Sequence, residues 1–217
     1  MSDRFEHLGA YELRTKPDTV PVTIWGGEHH DSFLIPHCGD IVHWEHAGDD
    51  EIQETVVGSY SAYTVLAYEA EAAGLCPVTD VCDAVSDALH HASEAIYDDG
   101  AHFSKEHGLD DHWGGNILIV HHVKLDEGHR GRGLGLAVIH TLVRRYGADR
   151  ELVVMKPFPL QFSHKVTQDN EGEFKAAVAK LTAYYKRLGF HPLRGAPEHL
   201  VLDLARGRPS LEKVLEA

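Results

Sequence analysis

The chain has few cysteines. Cys38, Cys76 and Cys82 are 3 among 217 residues, and none is spaced as Cys-x-x-Cys. That excludes a disulfide framework and the usual cysteine zinc modules, leaving reduced, structurally incidental thiols as the expectation. Basic residues are also scarce, with 20 Lys and Arg against 34 Asp and Glu, a formal charge of −14. Such a balance argues against non-specific binding to nucleic acid or to an anionic membrane. No apolar run reaches the roughly 18 residues that span a bilayer. The start of the chain lacks the charged, apolar and small-residue pattern of a secretory signal, so a cytoplasmic protein with no membrane partner is expected. No internal repeat and no low-complexity linker is found.

Apolar residues make up 43% and charged residues 25% of the chain, the balance of a globular fold, and one domain over 1–217 is expected. Histidine is abundant at 18 residues, so protonating half of them moves the net charge from −14 to about −5. The histidines fall as singles and doublets (His29-His30, His90-His91, His121-His122). The richest stretch, with His29, His30, His37, Cys38, His43 and His46, shows no ligand spacing, and no metal is expected.

Hydrophobic period predicts the elements. Val20, Val22 and Ile24 alternate as a short strand, Ile41 to Trp44 reads as another, and Thr55 to Leu66 as a third that bends at Gly58. Val81, Val85, Leu89, Ala92 and Ile96 recur at three and four, predicting one continuous helix capped by Thr79 or Asp80. Asp98 to Gly115 is polar and glycine-broken, a long loop of the kind that carries function. Beyond it come a strand over Asn116 to Leu125, a glycine-rich turn and a helix over Leu134 to Tyr146. A strand over Glu151 to Met155, a helix over Glu171 to Leu188 closed by Gly189, and a strand over His199 to Leu204 complete the chain.

The turn carries the chemistry. Residues 129–135 read His-Arg-Gly-Arg-Gly-Leu-Gly between a strand end and a helix start. Alternate glycines let backbone N–H groups approach a ligand, and the helix N-terminus adds partial positive charge, so this is a phosphate cradle. No Asp or Glu occurs from Gly128 to Ala148, while Arg130, Arg132, Arg144 and Arg145 do. A Rossmann fingerprint would need glycine where Leu136 or Val138 stands, and the Gly-Lys-Ser/Thr of a P-loop is absent.

Arg130-x-x-Gly133-x-Gly135 resembles motif A of the GNAT acyltransferase superfamily, and Tyr185-Lys-Arg-Leu-Gly189-Phe190 resembles its motif B. The two stand in the family's order and separation over about residues 116–205, while residues 1–75 are divergent. Arg130 to Leu136 followed by Lys156 to Phe162 also resembles an uncharacterised bacterial subgroup, for which no substrate is implied. The resemblance implies an α/β fold, a twisted mixed sheet with a splayed parallel strand pair (Ile117 to Leu125 beside Glu151 to Met155) and helices on both faces. It implies acetyl-CoA as cosubstrate, held by Val123, Leu125, Arg130, Gly131, Arg132, Gly133, Leu134 and Gly135. The implied reaction moves an acetyl group to a primary amine by direct attack in a ternary complex. Dimers are common among relatives, so the resemblance allows a homodimer and leaves the oligomeric state open.

Tyr185 lies on the stripe Phe174, Val178, Leu181, Tyr185, Leu188, which turns its ring to the core. By resemblance it is the general acid, whereas Tyr184 faces elsewhere. His121 alternates with Val123 and Leu125 on one strand face and is the candidate base, whereas His122 points to the other face. The oxyanion donor would be a backbone N–H near Leu125, where the strand splays to admit pantetheine. The acidic residues Asp40, Glu45, Asp49, Asp50, Glu51 and Glu54 form a solvated face that could attract a cationic amine. The competing reading is a non-catalytic CoA-binding or regulatory module with a histidine-rich first half.

Overall fold

The computed structural model describes residues 10–16, 33–46, 51–74, 77–98, 100–109, 114–162, 166–207, 210–211 and 214. The strand expected at Val20 to Ile24 lies outside them, as do His29 and His30. Seven strands form one mixed sheet in the order β1-β2-β3-β4-β5-β7-β6. β1 (Tyr11–Thr15), β2 (Leu34–His46), β3 (Ile52–Val65) and β4 (Ile117–Leu125) are successively antiparallel. β5 (Leu152–Met155) runs parallel to β4, β7 (Leu200–Asp203) returns antiparallel to β5, and β6 (His191–Pro192) edges β7. This is the mixed sheet with a parallel pair that the resemblance implies.

Alternation along the strands feeds two cores, one on each face. Val65, Ile117, Ile119, Leu152, Val154 and Val201 face α1 (Ala67–Ala72), α2 (Thr79–Asp83) and α3 (Asp87–Glu94). Tyr60, Ala62, Leu118, Val120, Val153, Met155 and Leu202 face α4 (Leu134–Tyr146) and α5 (Glu171–Lys186). α4 buries Leu134, Leu136, Val138, Ile139, Leu142 and Val143 along one stripe, each large side chain contributing about 1.5–3 kcal/mol. Its last turn carries Arg144 and Arg145, the sign the helix dipole favours. Gly189 (φ 93°) takes the left-handed conformation that ends α5.

The helix expected as continuous from Val81 to Ile96 is two. Ser86 is extended (φ −168°, ψ 148°) and its hydroxyl accepts the Leu89 N–H at 3.3 Å, starting α3 afresh. Val81, Leu89, Ala92 and Ile96 stay buried, while Val85 falls in the break and is exposed. Ser86→Ala should therefore cost about 1 kcal/mol in urea unfolding; an unmoved midpoint would remove the cap.

The loop after α3 is partly core. Tyr97 donates its hydroxyl to the Gly115 carbonyl (2.7 Å), Gly115 N–H donates to Ala101 (3.0 Å), and Phe103 and Leu109 pack into the first core. Among the described residues no helix is long and apolar enough to cross a membrane.

Candidate active site

β4 and β5 pair only from Ile117↔Leu152 to Val120↔Met155. β5 stops there because Pro157 and Pro159, which lack the N–H a ladder needs, follow two and four residues on. β4 continues to Leu125, held from the other side by β3, so the two parallel strands part at the Val120–Met155 row.

At that row β4 bulges. Ala62 pairs with Val120 and Ser61 with His122, leaving His121 as an extra residue without a Cα partner on β3. The bulge shifts the alternation by one. Val123 and Leu125 join Leu118 and Val120 against the second core. His121 packs edge-on to Tyr63 (centroids 6.1 Å apart), a residue that lies against the first core. His122 Nδ1 meets Ser61 Oγ at 2.8 Å, and the two imidazoles stand 5.5 Å apart. The expectation that His121 shares a face with Val123 and Leu125, with His122 opposite, is thus corrected: both histidines turn to the first-core face.

The cradle follows β4. Asp126 N–H is tied to the Val57 carbonyl (2.9 Å), a 3₁₀ turn covers Glu127–His129, and α4 begins at Leu134. Gly131 (φ 77°) and Gly133 (φ 81°) are left-handed, a conformation that any side chain would strain. Leu136 N–H donates to the Gly133 carbonyl at the N-cap (3.0 Å), while the Leu134 and Gly135 N–H groups lie at the positive end of the dipole, which suits phosphate oxygens. Arg130 donates its Nε–H to the Leu125 carbonyl (2.8 Å), clipping the turn to the strand end, and its side chain is exposed, as is that of Arg132.

α5 closes the other side. Tyr184 and Tyr185 both pack against the second core, so the expectation that Tyr184 faces elsewhere is also corrected. The Tyr184 hydroxyl accepts the Leu136 N–H at 3.2 Å, and a Cβ on Gly135 would come within 3.3 Å of that oxygen, so glycine there permits the close approach of the two helices. Burial, and next the neighbouring phenol of Tyr184, push the Tyr185 hydroxyl up to about 12, so it holds its proton at neutral pH. Burial lowers both His121 and His122 below the ordinary imidazole range. For His122, the charges of His121 and Lys124 add to the effect. Neutral imidazole is the form that accepts a proton.

The sequence offered no sign of a second group beside the cradle. Tyr11 Oη meets His129 Nδ1 at 2.9 Å, Tyr11 and His43 lie ring to ring at 4.6 Å, and His43 stands 5.2 Å from His129. These residues come from β1, β2 and the turn, and only the pairing of β1 with β2 brings them together.

Three residues of the acidic face are engaged internally. Asp40 pairs with Lys16 (2.9 Å), Glu54 with Arg14 (2.9 Å) and Glu45 with His43 (3.3 Å). Asp49 and Asp50 lie outside the described residues. Among the described residues no group of three or more His, Cys, Asp or Glu is placed to hold a metal ion.

No family model and no curated protein matches the chain. Solved structures do. A point mutant of KacT is similar at 12% identity over 94% of this chain and 99% of that one, with a TM-score of 0.45. AtaTR bound with acetyl-CoA is similar at 11% identity over 91% and 96%, TM-score 0.43. NAA60 of Arabidopsis thaliana in complex with acetyl-CoA is similar at 16% identity over 89% and 99%, TM-score 0.41. The strand order and the parting of β4 from β5, rather than these scores, define the fold.

Proposed function

We propose that this protein is a GNAT-type acyltransferase that moves an acetyl group from acetyl-CoA to a primary amine by direct attack in a ternary complex. The observation that carries the reading is the parting of β4 from β5 at Val120 and Met155, opening beside a helix that starts on left-handed glycines. Gly131, Gly133, Leu134 and Gly135 offer backbone N–H groups to a pyrophosphate, with Arg130 and Arg132 beside it. Val123 and Leu125 flank the chain that leads from it. The thioester, when bound, supplies the acyl carbon.

Tyr185 holds a proton at Oη for the leaving sulfur, and His121 accepts the proton of the amine. An N–H of the β4 segment past the bulge, where β5 no longer pairs, is the donor for the developing oxyanion. The exclusion of nucleic acid as a partner rests on the net charge alone.

A thermal-shift titration with CoA, acetyl-CoA and a longer acyl-CoA, with ATP and NAD as controls, tests the reading. At about 100 times its dissociation constant a ligand adds roughly 2.7 kcal/mol, which raises Tm by about 5–10 °C in a chain of this length. A shift specific to CoA species is expected, followed by release of free thiol in a screen of small amines, amino acids and peptides. Equal shifts with ATP, or none with any ligand, would overturn it.

A further inference from the structure

The bulge on β4 gives the acceptor face a second histidine. In a regular strand His121 and His122 would point to opposite faces, and only one could meet the acceptor. The extra residue turns both to the first-core face, on the row where β5 ends and the sheet opens. There they lie at 5.5 Å, ring edge toward ring face at 68°, with Tyr63 edge-on to His121 and Ser61 bonded to His122. The other titratable groups that the register sets on this face are Cys38, which is hydrogen-bonded to Tyr63 and half-buried on β2, Asp40 with its ion-pair partner Lys16 (2.9 Å), and Lys124 farther along β4. No described carboxylate contacts either ring. The cluster can therefore take up a proton, and its own charge then opposes a second one.

We propose that His121 and His122 act as a paired base at the acceptor site, sharing the one proton removed from a cationic primary amine, with His122 held in place by Ser61. This rests on the acyltransferase reading and extends it to a residue that the strand alternation had set on the wrong face. The ammonium R–NH₃⁺ gives one proton to the imidazole pair and becomes R–NH₂. The nitrogen lone pair forms the N–C bond to the acyl carbon while the C–S bond breaks. The departing sulfur takes the Tyr185 proton, the amide loses its extra proton to solvent, and the pair returns a proton to Tyr185.

The pairing also accounts for the position of the bulge. A bulge two residues earlier would lie within the parallel ladder and break its pairing with β5, and one after Leu125 would leave His122 facing α4 and α5. At His121 it is compatible with both the β5 ladder and the shared face. Ser61 is buried, so its hydroxyl needs a partner, and His122 supplies it while its other ring nitrogen is left for the ligand.

The experiment compares the protein with His122→Gln, His121→Gln and Ser61→Ala in the pH dependence of kcat/KM, using the best amine from the screen. Ring NMR titrations are run on the free proteins. Each histidine variant is expected to lose about 10²-fold near pH 7 and to recover progressively toward about pH 9 and above, where the amine arrives neutral. Acetyl-CoA shifts should stay as in the unmodified protein. In the free His121→Gln protein His122 should titrate at higher pH than before, because the charge of His121 is gone. Ser61→Ala should broaden the His122 ring signals.

A loss for His122→Gln that is the same at every pH marks a structural role and overturns the pairing, as does activity within about threefold of the unmodified protein. No CoA-specific shift in any variant or in the parent overturns the acyltransferase reading instead. Preserved shifts and turnover with an indifferent His122 overturn only the pair.

Discussion

Replacing Tyr185 by phenylalanine is expected to lower kcat by about 10²- to 10⁴-fold with the acetyl-CoA shift in Tm unchanged. The phenol packs against the second core and keeps its proton up to about pH 12, so it is protonated across the working range, as the proposed role requires. Phenylalanine keeps the ring and its packing and removes only the hydroxyl, so folding should be little affected. Steady-state turnover by free-thiol release, read beside the thermal shift, decides the matter. Turnover within about threefold of the parent would remove the role, and a protein with no turnover in either form would favour a CoA-binding module. Tyr184 provides the internal contrast. Its hydroxyl bonds to the Leu136 N–H at the cradle, so Tyr184→Phe should raise KM for acetyl-CoA more than it lowers kcat.

The second large effect is on stability in acid. His199 is 2% exposed, neither ring nitrogen has a hydrogen-bond partner, and the Glu198 carboxylate stands 3.7 Å from Nδ1. Burial, and next the charge of Lys156, push its imidazole down to about 4. Above the ordinary value of about 6.5 the ring is neutral whether folded or not. As pH falls below that, the unfolded chain takes the proton first, so stability is lost from about pH 6.5 down to about pH 4 and no further. For one such ring the loss is about 2 kcal/mol at pH 5. His37, stacked on Tyr146 at 3.8 Å and bonded to Thr64, is lowered to about 4 by burial and then by Arg150, and adds a loss of the same sign. Urea midpoints at pH 7 and pH 5 should differ accordingly. His199→Phe should flatten that difference and leave stability at pH 7 equal or higher, because a buried polar ring without a hydrogen bond is gone. An unaltered slope in the variant would exclude His199 as the source.

Much of the site-bearing half could be read directly. α4 runs over Leu134–Tyr146 as its apolar spacing predicts, and the glycines at 131, 133 and 135 stand at its start because that turn needs left-handed backbone and close approach. Local patterns of this kind are written in neighbouring residues. β1 alternates Tyr11, Leu13 and Thr15 with Glu12 and Arg14, but it is five residues long with Leu13 alone fully buried, too short a pattern to stand out. The split between α2 and α3 was missed because Ser86 breaks the helix through a hydrogen bond, leaving the apolar spacing on either side intact.

The face of His121 was misread for a deeper reason. A bulge is a property of a strand and its partner, and nothing in Ile117–Leu125 alone distinguishes a regular strand from one with an extra residue opposite Ser61 and Ala62. Likewise Tyr11, His43 and His129 lie on three separate segments, and only the pairing of β1 with β2 and the crossing of the turn bring them together.

Where β4 leaves β5, the sheet acquires an edge in its interior. From His121 to Leu125 the side of β4 that faced β5 carries backbone donors and acceptors with no strand beside them among the described residues. At the rim of a sheet such a run invites strands of other chains and promotes aggregation or domain swapping. Here it lies between β3 on one side and the departing β5 segment on the other, and Tyr184 joins α5 to the start of α4 across one face. A neighbouring polypeptide would have to thread between these elements, whereas a slender extended molecule bearing amides could lie along the edge as a short extra strand. On the acyltransferase reading this edge is where the ligand would lie, in a place hard for another copy of the chain to reach.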